Sequence, residues 1–191
     1  NKIFKDYLKD SINYAIKTFE RNFIKEDFID GFKRYEKYSR KDVLRILNWS
    51  QNVNAQIIGG YKTSPDKSNC PIFVDYHKKE DIAETVKYED KFLNPSQINT
   101  MSKSRRYLNS PDVQYFLNSP KNSTRLPLFI KKSNDEGQEF YFIGDMKPIS
   151  NSFEETEMSA GDDSSVSVVS MKFDLDKPVI EDIYNYIVDK D

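Results

Sequence analysis

The sequence predicts an α+β domain with a curved antiparallel or mixed β-sheet or pseudo-barrel, flanked by helices and preceded by an N-terminal helical appendage. Three observations carry this prediction. Apolar residues recur at helical spacing near the N-terminus, and short strand-like runs separated by turn residues follow between Gln56 and Leu175. The regular alternation of strands and helices that is typical of a parallel sheet is absent.

The N-terminal part of the chain is predicted to be helical. Residues 3–19 place apolar side chains three and four positions apart, with lysine and aspartate between them, which indicates an amphipathic helix. Residues 23–32 continue this pattern, with Gly31 as a plausible end of a second helix. A third helix is predicted to begin after Ser39, because its hydroxyl can cap a helix that carries Asp42 at the third position.

The rest of the chain indicates strands and loops. Strands are predicted over 56–61, 71–77, 85–92 and 167–175, with a hairpin over 126–145 that turns at 133–137. A short helix is predicted over 110–117, and a closing helix has Pro178 in its first turn and continues to Ile187. Residues 150–165 are polar and acidic, and we predict a mobile loop there.

Composition limits the cellular setting. No apolar run approaches the roughly 18 residues that a membrane span needs, and no signal peptide opens the chain, so no membrane partner is expected. The single cysteine, Cys70, excludes an internal disulfide and a zinc site built from cysteines, which favours the reducing cytoplasm. The chain begins Asn-Lys-Ile without methionine, which indicates a segment of a longer protein.

The available residues exclude several kinds of catalytic centre. The chain has no Gly-x-x-x-x-Gly-Lys-Ser/Thr phosphate loop, and its single histidine, His77, excludes paired-histidine zinc and phosphodiesterase centres. We therefore expect this segment to be non-catalytic, with no catalytic residue, no metal and no small-molecule cofactor. A metal-dependent nuclease assembled from Asp75-Tyr76-His77-Lys78 and Glu139 is a lesser alternative, because clustered acids and a lysine can serve such an enzyme.

Local charge is much more uneven than the total of −2. Residues 96–132 carry seven basic side chains and one acid, Asp112, for a net +6. Residues 133–191 carry four basic and fifteen acidic side chains, for a net −11. The basic region, residues 96–132, can attract a polyanion, or the acidic end, residues 133–191, can neutralise it within the fold. Charge alone leaves both interpretations open.

The stretch from Met101 to Tyr107 is the candidate nucleic-acid contact. It holds three cations, two serine hydroxyls and an aromatic ring without an acid. These groups can neutralise phosphates, donate to phosphate oxygens and stack on a base, and amide side chains at Asn54 and Gln56 can read base edges. The predicted nucleic-acid-binding residues are Ser102, Lys103, Ser104, Arg105, Arg106, Tyr107, Lys121, Arg125, Lys131, Lys132, Asn54 and Gln56.

Six sequence blocks in a fixed order carry a family resemblance. They span Arg40–Trp49, Asn54–Tyr61, Cys70–Lys78, Tyr88–Phe92, Met101–Arg106 and Phe140–Gly144. In these blocks the sequence resembles an uncharacterised family, domain of unknown function 3427, found at the C-terminus of bacterial superfamily II DNA/RNA helicases that often carry an N-terminal phospholipase-D-type nuclease. The resemblance covers about residues 39–188, and Thr100 stands where the family often has tryptophan.

The resemblance implies a domain organisation and a function. Residues 1–38 would be a helical tail or linker from the helicase core, and residues 39–191 the C-terminal accessory domain. That domain would recognise DNA in restriction or phage defence, with the helicase and nuclease domains of the same chain as partners. The alternative is a protein-interaction or architectural domain that couples the nuclease to the helicase.

Overall fold

The computed structural model describes residues 2–22, 27–50, 53–54, 57–77, 90–161 and 164–189. Its helices are α1 (Lys2–Asn22), α2 (Arg40–Ile46), α3 (Pro111–Leu117) and α4 (Glu181–Val188). Its strands are β1 (Phe28–Ile29), β2 (Phe32–Lys33), β3 (Lys37–Ser39), β4 (Ile72–His77), β5 (Lys91–Asn94), β6 (Gln97–Met101), β7 (Pro127–Ser133), β8 (Glu139–Pro148), β9 (Glu154–Gly161) and β10 (Ser164–Leu175).

One strongly curved sheet dominates the fold. Its strand order is β4-β7-β8-β10-β6-β5, while β3 pairs with β8 and β9 pairs with β10. Strands β4 and β7 are parallel, and the other named pairs are antiparallel. The amide of Phe92 on β5 donates to the hydroxyl of Tyr76 on β4 at 3.1 Å, so the two edge strands meet. The sheet is therefore a nearly closed pseudo-barrel, as the sequence predicts.

The middle of the sheet is buried on both faces. Leu128 and Ile130 point to the barrel interior and pack in a large cluster that includes side chains of α3 and α4. Phe129, between them, points to the opposite face. There it belongs to a second cluster that β2 and α2 cover, and this cluster consists of Phe32, Val43, Leu44, Ile58, Phe73, Phe129, Phe140 and Phe142.

The predicted helix after Ser39 is confirmed, and the predicted second helix is wrong. The hydroxyl of Ser39 accepts from the amide of Asp42 at 3.2 Å and caps α2. The described part of the second predicted helix is instead the β1–β2 hairpin, which turns at Asp30 and Gly31 with φ values of 39° and 97°. This left-handed turn reverses the chain and lets Phe32 bury completely in the second cluster.

Three further predictions need correction. The strand expected over 56–61 is wrong where the chain is described, because only Tyr61 pairs, in a single bridge to Ile72. The loop expected over 150–165 is wrong, because β9 pairs with β10 there. The acidic composition gave no indication of this strand pairing. The closing helix begins at Glu181, so Pro178 precedes its first turn.

The remaining local predictions are mostly confirmed. Strands β4, β7, β8 and β10 and helix α3 occupy their predicted positions, and a 3-10 turn at Asn134–Glu136 closes the predicted hairpin. Most of the strand predicted over 85–92 lies outside the described residues, although β5 overlaps its end. The polar strand β6 has no counterpart in the prediction.

Helix α1 precedes the sheet, and the ring of Phe19 contacts that of Phe28 at a centroid distance of 5.0 Å. No described helix has the length and apolar character needed to cross a membrane. The assignment of residues 1–38 to a linker from a helicase core stays a prediction.

Candidate nucleic-acid interface

The basic segment, residues 102–106, is held along one edge of β10. Ser102 donates from its amide to the carbonyl of Val169 at 2.9 Å, and its hydroxyl accepts from the amide of Val169 at 2.8 Å. The amide of Arg106 donates to the carbonyl of Ser167 at 3.1 Å. Between these anchors Arg105 has a left-handed φ of 59°, which turns the chain back to the sheet. The sheet thus fixes the position of the basic segment.

An open pocket of about 480 Å³ lies beside the basic segment. The start of α3 and the chain that follows Gly60 form its other walls. Its lining carries three cations and one carboxylate, for a net charge of +2 when all four are ionised. The lining residues are Tyr61, Lys62, Thr63, Lys103, Arg106, Ser110, Pro111 and Asp112.

Tyr61 connects the two sides of this pocket. Its hydroxyl donates to Oδ2 of Asp112 at 2.7 Å and accepts from the amide of Lys103 at 3.2 Å. The ammonium of Lys103 lies 4.6 Å from the centre of the Tyr61 ring, a cation–π distance. The ring also packs edge-on against Phe116 in the core, with centroids 4.9 Å apart. Tyr61 therefore holds Lys103 and Asp112 in fixed positions.

Asp112 already has a cationic partner. Nε of Arg106 donates to both carboxylate oxygens, at 2.9 and 2.8 Å. Burial opposes ionisation of Asp112, but hydrogen bonds from Arg106 and Tyr61 outweigh it and lower the pKa of the carboxyl. Asp112 is ionised at neutral pH and balances Arg106, which leaves Lys62 and Lys103 as the cations that a ligand anion can meet.

Partial burial lowers the pKa of Lys103, although the nearby charge of Asp112 opposes this shift. An anion that binds next to the ammonium replaces lost hydration and favours the protonated form. Binding of a polyanion at Lys103 would therefore be coupled to protonation of its ammonium.

This coupling predicts a pH dependence for polyanion binding. Affinity should decline in alkaline solution at a lower pH than an ordinary lysine pKa of 10.5 would allow, because the neutral amine loses its attraction to phosphate. The variant Lys103→Arg should remove this decline, since arginine stays protonated. Fluorescence anisotropy with one labelled DNA at constant ionic strength measures both curves. Parallel curves for the two proteins would show that Lys103 does not meet the ligand.

The other side chains of the basic segment divide into two groups. Ser102 is buried, and its hydroxyl also donates to the carbonyl of Lys103 at 3.0 Å, so it anchors the backbone. Ser104 and Arg105 are exposed. Tyr107 is 49% exposed, and its amide donates to the hydroxyl of Ser110 at 2.9 Å. Ser104, Arg105 and Tyr107 do not line the pocket, but they are neighbours in sequence of Lys103 and Arg106, which do.

Two predicted contact residues, Arg125 and Lys131, lie elsewhere and hold the fold together. Arg125 donates from Nε to Asp145 at 2.8 Å and from its other nitrogens to the carbonyls of Ile29 and Asp30. The side chain of Lys131 is 6% exposed, and its ammonium lies 3.0 Å from a carboxylate oxygen of Asp75. These cations are committed to internal partners.

Lys132 and Lys121 are also separated from the pocket. Lys132 is buried, with its ammonium 5.1 Å from the ring centre of Tyr186 on α4. Lys121 is exposed beyond the C-terminal end of α3, whereas the pocket lies at the start of that helix. The structure therefore does not join Lys121, Arg125, Lys131 and Lys132 to the basic segment in one surface.

The structure shows little about the two amide side chains that were predicted to contact base edges. Asn54 is exposed, and its carbonyl accepts from the amide of Ile57 at 3.1 Å. Gln56 lies outside the described residues. Sequence reasoning missed Lys62 and Thr63 as pocket residues, although Lys62 directly follows the Gly-Gly-Tyr turn. Asp112 could have been recognised as a site residue in the sequence, since it is the single acid of residues 96–132.

The acidic end, residues 133–191, neutralises Arg125 through Asp145, but the described contacts include no such ion pair to residues 102–106. A carboxylate oxygen of Glu155 on β9 accepts from the backbone amide of Leu108 at 2.7 Å. The partner of Arg106 is Asp112, from within the basic region itself. Among the described contacts, the link from the acidic end to this loop is made to the backbone.

The residues proposed for a nuclease centre have other neighbours. His77 donates from Nε2 to the carbonyl of Ile187 at 2.9 Å, which ties β4 to the end of α4. Asp75 faces Lys131, Glu139 is exposed at the start of β8, and Lys78 lies outside the described residues. Within the described ranges, no three His, Cys, Asp or Glu side chains are grouped to hold a metal ion.

Comparison with known families assigns the chain. The profile of a domain of unknown function, DUF3427, matches residues 32–187. The chain belongs to the DUF3427 family. The pocket of this DUF3427 domain, including Tyr61, Lys103 and Asp112, lies within the matched range. No curated protein shows a significant sequence match to the chain.

Two solved structures resemble this DUF3427 domain. One is the DNA modification-dependent restriction endonuclease AspBHI, at 11% identity and a TM-score of 0.49, over 74% of this chain and 39% of the endonuclease. The other is the sulfur binding domain and SRA domain of ScoMcrA complexed with phosphorothioated DNA, at 8% identity and a TM-score of 0.46, over 81% of this chain and 44% of that protein. The chain thus spans about two fifths of the length of each.

Proposed function

We propose that this domain is a non-catalytic DNA-binding accessory domain, and that the pocket beside the basic segment takes a backbone phosphate. One observation carries the proposal. The pocket has a net positive lining, and its single carboxylate, Asp112, is already paired with Arg106. Lys62 and Lys103 are thus left to meet an anion.

The geometry suits a phosphate in a nucleic-acid strand. Lys103 is exposed as a residue, but its ammonium lies over the Tyr61 ring, and the burial that lowers its pKa makes an anionic partner more valuable to it than to a fully solvated lysine. The exposed hydroxyl of Ser104 and the exposed ring of Tyr107 lie close by in sequence and can contact the next phosphate and a base. The basic segment supplies the attraction, and its anchoring to β10 supplies the fixed geometry.

The biological setting is part of the same proposal. The resemblance of the six sequence blocks supports a place at the C-terminus of a helicase that carries a phospholipase-D-type nuclease. In such a chain, ATP hydrolysis and cleavage belong to other domains, and this domain would grip or recognise DNA for restriction or phage defence.

The test is DNA binding by the double variant Lys62→Ala/Lys103→Ala. If each lysine contacts one phosphate, the slope of log affinity against log salt on duplex DNA should flatten by roughly 1.8 units, because each contact contributes about 0.9. On single-stranded DNA the change should be roughly 1.4 units. Anisotropy titrations at several salt concentrations measure both slopes.

A charge-matched control separates this local effect from general charge loss. The variant Lys9→Ala/Lys41→Ala removes two exposed lysines from α1 and α2, and its slope should stay close to that of the unmodified chain. Melting curves check that all proteins remain folded. Equal slopes for the two variants would refute the phosphate pocket.

A protein-interaction role is the second candidate, and helix α1 favours it. Large apolar side chains on this helix are exposed, among them Phe4 at 65% and Tyr7 at 71%. Such surfaces are typical of contacts with another protein or domain. If DNA binding fails in the test above, this interpretation takes precedence.

A further inference from the structure

The pocket is larger than a phosphate group requires, so it has room for more of a ligand than its anion. The inference about that further part of the ligand rests on the proposed function. A volume of about 480 Å³ falls in the range of pockets that bind whole small ligands, roughly 300–1,000 Å³. The walls beyond the lysines include Pro111 and Thr63, so the remaining space is lined by both an apolar and a polar residue.

Asp112 is the unusual member of this lining. A carboxylate offers about four lone-pair positions, two on each oxygen. In the described contacts, Oδ2 accepts from Tyr61 and Arg106, while Oδ1 accepts from Arg106 alone. The Asp112 side chain is 23% exposed and lines the pocket, so it can accept a further hydrogen bond there.

A bare phosphate does not use the free acceptor position of Asp112, because a phosphodiester has no hydrogen to donate to it. A ligand that carries both an anion and an N–H donor satisfies the lysines and Asp112 together. A nucleotide whose base has an exocyclic amino group is such a ligand, and carboxylates accept from this type of group in base recognition. Thymine fits less well, because its N–H lies between two carbonyl oxygens that the carboxylate repels.

We propose that the pocket receives one unpaired nucleotide, with its phosphate at Lys62 and Lys103 and the amino group of its base donating to Asp112. The nucleotide must be unpaired, because pairing and stacking in a duplex keep the base from entering a pocket. Asp112 would then determine base preference, while the lysines determine overall affinity.

The experiment compares single-stranded oligo(dT) probes that differ at one central position. The centre is thymine, cytosine, adenine, guanine or an abasic site, and the full 191-residue chain is titrated with each labelled probe. We expect the best amino-bearing base to bind about tenfold more tightly than thymine or the abasic site, the size of one charge-assisted hydrogen bond. The same substitutions within a duplex should make less than a twofold difference.

The variant Asp112→Asn tests the carboxylate directly. Asparagine keeps the size of the side chain and an oxygen for Arg106, but it loses the negative charge. The base preference should fall to within twofold, while affinity for the all-thymine probe stays equal or increases. A uniform loss of affinity for every probe would mean that Asp112 only organises the pocket, and would overturn the inference.

The five probes on the unmodified chain and on Lys62→Ala/Lys103→Ala also decide the matter, whatever the stability of Asp112→Asn. Equal binding of all five probes, with binding still dependent on Lys62 and Lys103, overturns the base contact and leaves the phosphate contact intact. Two results overturn the proposed function itself: failure of the chain to bind any DNA at low salt, or equal DNA binding by the unmodified chain and Lys62→Ala/Lys103→Ala.

Discussion

Replacing Arg125 with alanine should lower the free energy of unfolding by about 3 kcal/mol, the cost of leaving a largely buried acid without its partner. Arg125 pairs with Asp145 at 2.8 Å, and the two side chains are only 17% and 16% exposed. It also donates to the carbonyls of Ile29 and Asp30, which joins the β1–β2 turn to the sheet. Urea denaturation measures the loss.

The loss should depend on pH. Burial raises the pKa of Asp145 above its ordinary value even with Arg125 in place. A carboxyl whose pKa is raised by folding favours the folded state most when it is protonated, so its contribution falls as pH rises through the shifted range. The destabilisation by Arg125→Ala should therefore be larger at neutral pH than in mild acid.

A double-mutant cycle provides the control for this prediction. Asp145→Ala combined with Arg125→Ala should cost less than the sum of the single changes, because no acid is then left without a partner. A loss below about 0.5 kcal/mol for Arg125→Ala would be that of an ordinary surface residue, and the residue would return to the DNA-contact candidates.

Replacing Phe129 with alanine should lower the free energy of unfolding by about 3–5 kcal/mol, the range for a large aromatic side chain removed from a core. Phe129 is fully buried. Its ring lies 5.2 Å from Phe32, 5.2 Å from Phe73 and 5.3 Å from Phe142, centre to centre. It therefore joins β2, β4, β7 and β8 in one aromatic cluster.

Two comparisons make this prediction specific. Phe129→Leu should cost much less than the alanine change, because it keeps most of the buried volume. Below its melting temperature, Phe129→Ala should bind DNA as the unmodified chain does, since Tyr61 and the pocket pack on the other cluster. A loss under about 1 kcal/mol for Phe129→Ala would show that the cluster repacks around the gap.

Local sequence signals were sufficient for several elements. The Ser39 cap is satisfied within three residues, and the hairpin of β7 and β8 closes through the short turn at 133–137. Such contacts involve residues close in sequence, so their chemistry can be read directly. The same holds for the basic segment, whose charge is independent of the fold.

Local sequence signals were misleading where contacts between distant residues determine the structure. Residues 154–161 are acidic and polar, and only their pairing with β10 makes them a strand. The apolar spacing before Gly31 resembles a helix, but the left-handed turn and the burial of Phe32 select a hairpin. In both places tertiary contacts outweigh local propensity.

The charges of this domain follow from its amino-acid composition, but which of them a ligand can reach depends on the fold. Arg125 and Lys131 look as available in the sequence as Lys103, yet the fold gives them Asp145 and Asp75 as partners. The hydrogen bond from the amide of Lys103 to the hydroxyl of Tyr61 in turn places Lys62 near a segment about forty residues away. A cationic side chain is available to a ligand only if no carboxylate lies close enough to pair with it. Strand pairing between residues far apart in the chain sets that distance.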